Sequence, residues 1–208
     1  MTGYRWHERI VRRLRDEGLG ATALRALRAA GRKLLRYEVG LYLGVDLRQP
    51  SPSIEARIPV DFRWATDEEV RSTVALMPPN EQANERRDAR PDDRHWVGVA
   101  GDQVVFICSP ASARPAPPAL AAWIGEPQDT ALIRGVYALP EFRGNRLFAA
   151  GLCNLFDVLR EEGFRYAWAG ARHYNLGSIR AQCTAGMNVI GIECYWQSLS
   201  WRFGTEWK

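Results

Sequence analysis

The 208-residue sequence has only four cysteines, Cys108, Cys153, Cys183 and Cys194, and no C-x-x-C pair. A disulfide framework is therefore not expected, and the pattern reads as small buried thiols in a reducing cytoplasm. No run of about 18 or more apolar residues occurs, so no membrane-spanning helix is expected. The N-terminus lacks a continuous apolar stretch between its arginines, which argues against a secretory signal peptide. No internal repeat is evident. Lysine is nearly missing as well: 26 of the 28 basic residues are arginine, a bias that reads as genome composition more than function.

What is present is an ordinary globular composition, 46% hydrophobic and 25% charged, enough for one domain with a real core and an extension. The net charge of +4 is unevenly spread. Residues 1–36 hold ten basic and three acidic side chains, and the other 172 residues hold 18 basic and 21 acidic ones. The basicity thus belongs to an N-terminal arm. Within it, Ala21 to Tyr37 predicts a helix with Leu24, Leu27, Leu34 and Leu35 on one face and arginines on the others. Three uses stay open for such an arm: packing or oligomerisation, lying on an anionic membrane surface through residues 1–36, and, least favoured, nucleic-acid contact. The expected location is the cytoplasm, with the inner face of the membrane open to the arm.

Val39 to Leu47 reads as a strand, and Pro50-Ser51-Pro52-Ser53 places a boundary between an arm, 1–50, and a domain, 54–208. Ile58 to Phe62 predicts a strand. Thr66 and Glu69 predict a capping box opening a helix that stops before Pro78. Glu81 to Asp93 reads as a charged surface helix or loop. Gly101-Asp102 joins two apolar runs as a hairpin, and Pro110 to Pro118 reads as an extended surface loop. Then come a strand at Ala131–Tyr137, a helix at Leu147–Glu162 stopped by Gly163, a strand at Tyr166–Arg172, a helix capped by Asn175 and ended at Gly186, and one or two strands over Val189–Phe203. This order predicts an α/β sandwich: a mostly antiparallel sheet with helices on both faces.

Two segments carry chemistry. In the first, a strand runs through Pro140 into Arg143-Gly144-Asn145-Arg146 and the helix starting at Leu147-Phe148. A turn of backbone N–H groups opening a helix is a receptor for phosphate; Gly144 permits a positive φ, and Arg143 and Arg146 add cations. The alternative is an ordinary connection with solvated arginines. In the second, Asn175 precedes Ser178 by three residues and Gly186-Met187 follows. Alone, these read as a helix cap and a helix stop.

In this order and at this separation the two segments resemble the acyl-CoA-binding half of the GNAT N-acetyltransferase superfamily. The resemblance covers Ile54 to Phe203 and is specific from Val136 to Gly191. It implies a GNAT-like mixed sheet in which the strand before the turn splays from the strand before Asn175. Pantetheine would lie in that gap, between Gly135-Val136-Tyr137-Ala138 and Ala169-Gly170-Ala171-Arg172, on the backbone of Val136, Tyr137 and Ala138. Asn175 and Ser178 would lie near the cofactor. The co-substrate implied is acetyl-CoA or another acyl-CoA, with no metal. Three positions depart from the family: Arg146 stands where its turn has the first Gly, Phe148 where a small residue belongs, and Met187 where Phe is usual. A helical backbone conformation is expected to suit Arg146, and Phe148 is expected either to reshape the pocket or to turn into the core. Many members carry a Tyr as general acid where this chain has Gln182, which cannot serve as an acid.

Acyl transfer to an amine needs a base. His173, at a strand end, has the right ordinary pKa; Tyr174 as an acid and Glu141 in the loop before the turn are the next candidates. For His173 a loop-end histidine making a local hydrogen bond is the competing reading, and Cys183 reads as packing. The expectation is an acyl-CoA-dependent N-acyltransferase, most simply acetylating a primary amine of a small molecule or amino sugar. The alternative is a GNAT-shaped binding or scaffold module without catalysis, held at a membrane surface by its arm.

Overall fold

The computed structural model describes residues 35–88, 93–112, 129–198 and 201–207. The expected arm helix lies outside them, except for its end at Leu35–Tyr37, which is strand. The chain divides into two compact units, Val39–Glu193 with Glu206–Lys208, and Met1–Glu38 with Cys194–Thr205.

The strands of the unit Val39–Glu193 are β1 (Leu35–Asp46), β2 (Asp61–Trp64), β3 (Trp96–Ala100), β4 (Gln103–Ser112), β5 (Thr130–Ala138), β6 (Tyr166–Arg172) and β7 (Asn188–Ser198), with β1 and β7 running on into the other unit, which also holds β8 (Trp201–Trp207) up to Thr205. The seven hydrogen-bond in the order β2-β3-β4-β5-β6-β1-β7. Four helices are described: α1 (Asp67–Leu76), α2 (Pro79–Asp88), α3 (Leu147–Glu161) and α4 (Leu176–Thr184), with a short 3-10 turn at Pro140–Phe142. The β2-β3, β3-β4, β4-β5 and β1-β6 pairs are antiparallel, and β5-β6 is parallel. This is the mixed α/β sandwich expected.

Alternation along β4 shows the two layers. Phe106 and Cys108 enter the main core with α3, while Ile107 joins Val97, Met77 and the α1 residue Val74 on the other face. The stripe Leu152, Leu155, Phe156 and Leu159 of α3 is at most 2% exposed. Each such side chain stabilises the fold by about 1.5–3 kcal/mol on burial. Gly151 lets α3 approach: a Cβ there would meet Phe106 at 2.6 Å. Thr66 and Glu69 form the expected capping box of α1, Glu69 N–H donating to Thr66 Oγ1 at 3.3 Å and Thr66 N–H to Glu69 Oε2 at 2.8 Å.

Three expectations shift. Residues 39–46, assigned by sequence to the arm, form β1 and pair with β6 from Gly40–Arg172 to Asp46–Tyr166 inside the main unit. A boundary at 50 marks a turn after that strand; β1 is held by long-range pairing. Of the loop expected at Pro110–Pro118, Pro110 to Ser112 belong to β4, with Pro110 opposite Ile133, and the remainder lies outside the described residues. Pro110 is tolerated because β3 stops pairing with β4 at Cys108, so no ladder partner needs the missing N–H. The strand expected at Ile58–Phe62 forms at Asp61–Trp64, where the ladder to β3 begins.

Candidate functional site

β5 and β6 pair only from Thr130–Tyr166 to Ile133–Ala169. Just beyond, Gly135 takes φ +59° and the register to β4 shifts: Ser109 faces Arg134, whereas Ile107 faces Tyr137. One extra residue in β5 is a bulge, which bends the strand and ends its pairing with β6. Arg134 to Ala138 therefore keep β4 on one side and have no ladder partner on the other among the described residues. The backbone there is what the sequence reading places at the gap.

At the end of β5 the 3-10 turn leads into Arg143, Gly144 at φ +85°, and Arg146, the N-cap of α3. Arg146 adopts φ 59°, ψ 15°, the left-handed region, and is the only non-glycine there among the described residues. The expected ordinary helical conformation is thus overturned: this position needs what glycine offers, and an arginine there costs about 1–2 kcal/mol. No side chain caps α3. Its first N–H groups and the positive end of its dipole are left open. Asn145 is occupied locally, its side chain donating to the Phe142 carbonyl at 3.1 Å and its carbonyl accepting from Arg57 N–H at 2.9 Å.

A cavity of about 960 Å³ opens on this junction. Of the residues singled out by sequence it is lined by Val136, Tyr137, Ala138, Arg143, Gly144, Arg146, Leu147, Phe148, Asn175 and Ser178. Asn145, Glu141, His173 and Tyr174 do not line it. Phe148 does both things expected of it: it is half-buried against the main core, 6.3 Å from the Phe106 ring, and it forms cavity wall. Trp168 is 7% exposed, stands edge-on to Tyr42 at 5.8 Å, and does not line the cavity.

α4 supplies the remaining wall. Asn175 Oδ1 accepts the Ser178 N–H at 3.3 Å as its N-cap, and Gly177, Arg180, Ala181 and Thr184 follow along the cavity. Gln182 faces away, 2% exposed, donating to Ser178 Oγ at 2.9 Å. It takes no place at the cavity. Sequence reasoning missed Arg180; its spacing from Asn175 and Ser178 on one helix was the available signal.

Three arginines line the cavity. Arg48, Arg63, Arg94, Arg134, Arg160 and Arg165 each have a carboxylate partner, the Arg134–Asp93 pair being buried. Among the described residues the cavity arginines have none, and neither do Arg57 and Arg71, which do not line the cavity. Arg143 donates Nε to the Ala138 carbonyl at 3.1 Å and lies 5.5 Å from the Tyr137 ring, while Arg146 and Arg180 make no side-chain hydrogen bond or ion pair with the described residues. Chemically, cations beside uncapped helix N–H groups favour negative charge.

The proposed proton carriers sit elsewhere. His173 is exposed at the end of β6, with Nδ1 3.1 Å from the Val39 carbonyl, the local bond of the competing reading. Tyr174 is 59% exposed and its hydroxyl accepts from Arg172 at 2.7 Å. Glu141 is exposed in the 3-10 turn. Burial pushes the Cys153 thiol up to about 11; Cys183, expected to be packed, is exposed instead and does not line the cavity. Among the described residues no cluster of His, Cys, Asp and Glu can hold a metal ion, and no helix is long and apolar enough to cross a membrane.

No protein-family model matches the sequence, and no curated protein matches it. Solved structures do. A GCN5-related N-acetyltransferase from Sphaerobacter thermophilus is similar at 18% identity and TM-score 0.54, over 81% of this chain and 53% of that one. A GCN5-related N-acetyltransferase from Kribbella flavida is similar at 13% identity and TM-score 0.56, over 89% and 65%. A functionally unknown conserved protein from Staphylococcus epidermidis is similar at 14% identity and TM-score 0.51, over 80% and 64%. The chain spans between about half and two thirds of the length of each. The shared property is the fold: this chain has a GNAT-type fold, as its strand order and splayed β5 and β6 imply.

Proposed function

We propose that the chain is an acyl-CoA-dependent N-acyltransferase, in the simplest case acetylating a primary amine of a small molecule or amino sugar. One observation carries the reading: the cavity at the parting of β5 and β6 is lined by three arginines without carboxylate partners among the described residues and by the uncapped start of α3. Its volume, about 960 Å³, suits a ligand larger than a lone anion.

The residues present fit acyl-CoA. The N–H groups at the start of α3, with Arg143, Arg146 and Arg180, would hold phosphate. The backbone of Val136, Tyr137 and Ala138 lines the cavity, and those of its groups that neither β4 nor Arg143 Nε takes would pair with the pantetheine amides, because buried backbone groups seek partners. Asn175 uses only its Oδ1 in capping, leaving Nδ2 as a donor at the cavity. Acyl-CoA bound there supplies the reacting carbon: a C–N bond forms as the C–S bond breaks, the amine proton passes to a base, and the thiolate takes up a proton. Backbone N–H groups of β5 would favour the negative charge that develops on the carbonyl oxygen.

A second reading, a binding module without catalysis, draws on Gln182, which is buried and away from the cavity, and on the absence of His173, Tyr174 and Glu141 from the lining. Against a cleft closed in such a module stands the open cavity itself, which neither Phe148 nor Trp168 fills. Following thiol release from acetyl-CoA across a panel of primary amines separates the two. Release supports transfer; tight CoA binding with no release on any amine supports the module. The basic residues 1–34 lie outside the described residues; contact with an anionic membrane surface or a second copy is the use their charge and leucine stripe favour.

A further inference from the structure

The cavity has one carboxylate among its described lining residues, Glu81. It stands in the first turn of α2, half-buried, with Oε1 accepting from Asn80 Nδ2 at 3.1 Å. No described Arg or Lys pairs with it. Each other charged side chain on the cavity, Arg143, Arg146 and Arg180, is a cation.

The corner that carries Glu81 is fixed. The Pro78 carbonyl accepts the N–H groups of Glu81 at 2.9 Å and Gln82 at 3.0 Å, and Gln82 Nε2 donates to the Met77 carbonyl at 2.8 Å. Met77 is 6% exposed and packs with Val97 and Ile107, where Tyr137 also rests. That cluster lies on the face of the sheet opposite α3. Arg146, Leu147 and Phe148 approach the cavity with α3, and Arg180 with α4, whose Ile179 packs on the same core as α3. The cavity thus passes through the sheet where β5 and β6 part, with Arg146 and Arg180 on one face and Glu81 on the other. Arg143 stands beside Tyr137, satisfied in part by the Ala138 carbonyl.

From this we infer that Glu81 is the acceptor-side anchor of the cavity, binding the positively charged amine of the acceptor as it arrives from the α2 face. The inference rests on the acyl-CoA reading above and adds the chemistry of the second substrate: a cation, received by a carboxylate that has no cation of its own. A half-buried carboxylate whose one hydrogen bond comes from a neutral amide gains by meeting an ammonium group that brings both charge and N–H donors. The same carboxylate at the α3 side would repel phosphate, so its placement on the opposite face also orients the two substrates.

The test needs no knowledge of the natural acceptor. Two CoA derivatives alkylated on sulfur serve as probes, one with an N-(2-aminoethyl)acetamide arm ending in an ammonium group, the other with an N-propylacetamide arm ending in a methyl group. Their affinities are measured by calorimetry on the full chain and on Glu81→Gln, with unmodified CoA as reference. The native chain is expected to prefer the ammonium probe roughly three- to tenfold. Glu81→Gln should bind both probes alike and CoA unchanged, which also shows the variant is folded. Equal affinity of the native chain for the two probes, or a preference that survives in Glu81→Gln, overturns the inference while leaving the acyl-CoA reading intact. Failure of the native chain to bind CoA at all removes that reading and the inference with it.

Discussion

Ile133 and Ala169 are the last residues to face each other across β5 and β6. Everything proposed for the site follows from what happens after them. Gly135 bulges, β5 keeps β4 and loses β6, and the cavity opens between the strands with α3 starting at its rim. The geometry also sets measurable consequences.

Arg146 couples strain to charge. Replacing it by glycine suits φ +59° and removes one cation. Arg146→Gly is expected to raise stability by about 0.5–1 kcal/mol in urea unfolding and to weaken CoA binding several-fold in calorimetry. Opposite signs in the two measurements are the signature. A loss of stability would contradict the strain, and unchanged affinity would contradict the phosphate role.

Arg146 and Arg180 are expected to act through charge. CoA affinity of the native chain should fall as salt rises, because exposed charges are screened. The double variant Arg146→Ala, Arg180→Ala should bind more weakly at low salt and show a flatter salt dependence. A slope equal to the native one would place the phosphates elsewhere.

Gly144 separates backbone from side-chain effects. A Cβ built there meets nothing within 4 Å, yet φ is +85°. Gly144→Val therefore distorts the turn without a clash. It is expected to cost about 1–2 kcal/mol of stability and most of the CoA affinity, with the far-ultraviolet circular dichroism of the fold retained. Native-like affinity in this variant would refute the placement of the turn.

Away from the site, Glu69 gives the fold a pH signature. Hydrogen bonds from Arg63 and from the Thr66 backbone hold its carboxyl down to about 2. A carboxyl lowered on folding stabilises the protein above its unfolded value, near 4.5, and that contribution fades as pH falls from there toward 2. The stability difference between the native chain and Glu69→Gln should be present at pH 6 and vanish by about pH 2. A constant difference across that range would contradict the assignment. Glu69 is partly solvated, so the effect is modest.

Local signals in the sequence carried over wherever a side chain answers its own backbone. The Thr66–Glu69 box, the Asn175 cap and the stop at Gly163 depend on residues three or four apart and are readable without the fold. The turn from Val136 to Phe148 and Asn175 with Ser178 also reached a common cavity, ten of the singled-out residues lining it. What was not legible depends on partners far along the chain. β1 takes its seat from β6, Pro110 is tolerated because β3 has already ended, and Gly135 shows its bulge only against β4. Arg146 reads as any helix-compatible residue until its φ is seen. Glu81 is one acid in a charged stretch; only the corner at Met77–Pro78 turns it toward the cavity.

The central claim is that the opening between β5 and β6 binds acyl-CoA. Calorimetric titration of CoA into the full chain at low salt tests it most directly. The structure leads us to expect one saturable site with a Kd of about 1–100 μM, weakened by salt and by Arg146→Ala with Arg180→Ala. No binding heat up to about millimolar CoA, or binding indifferent to those two arginines and to Gly144→Val, would contradict it.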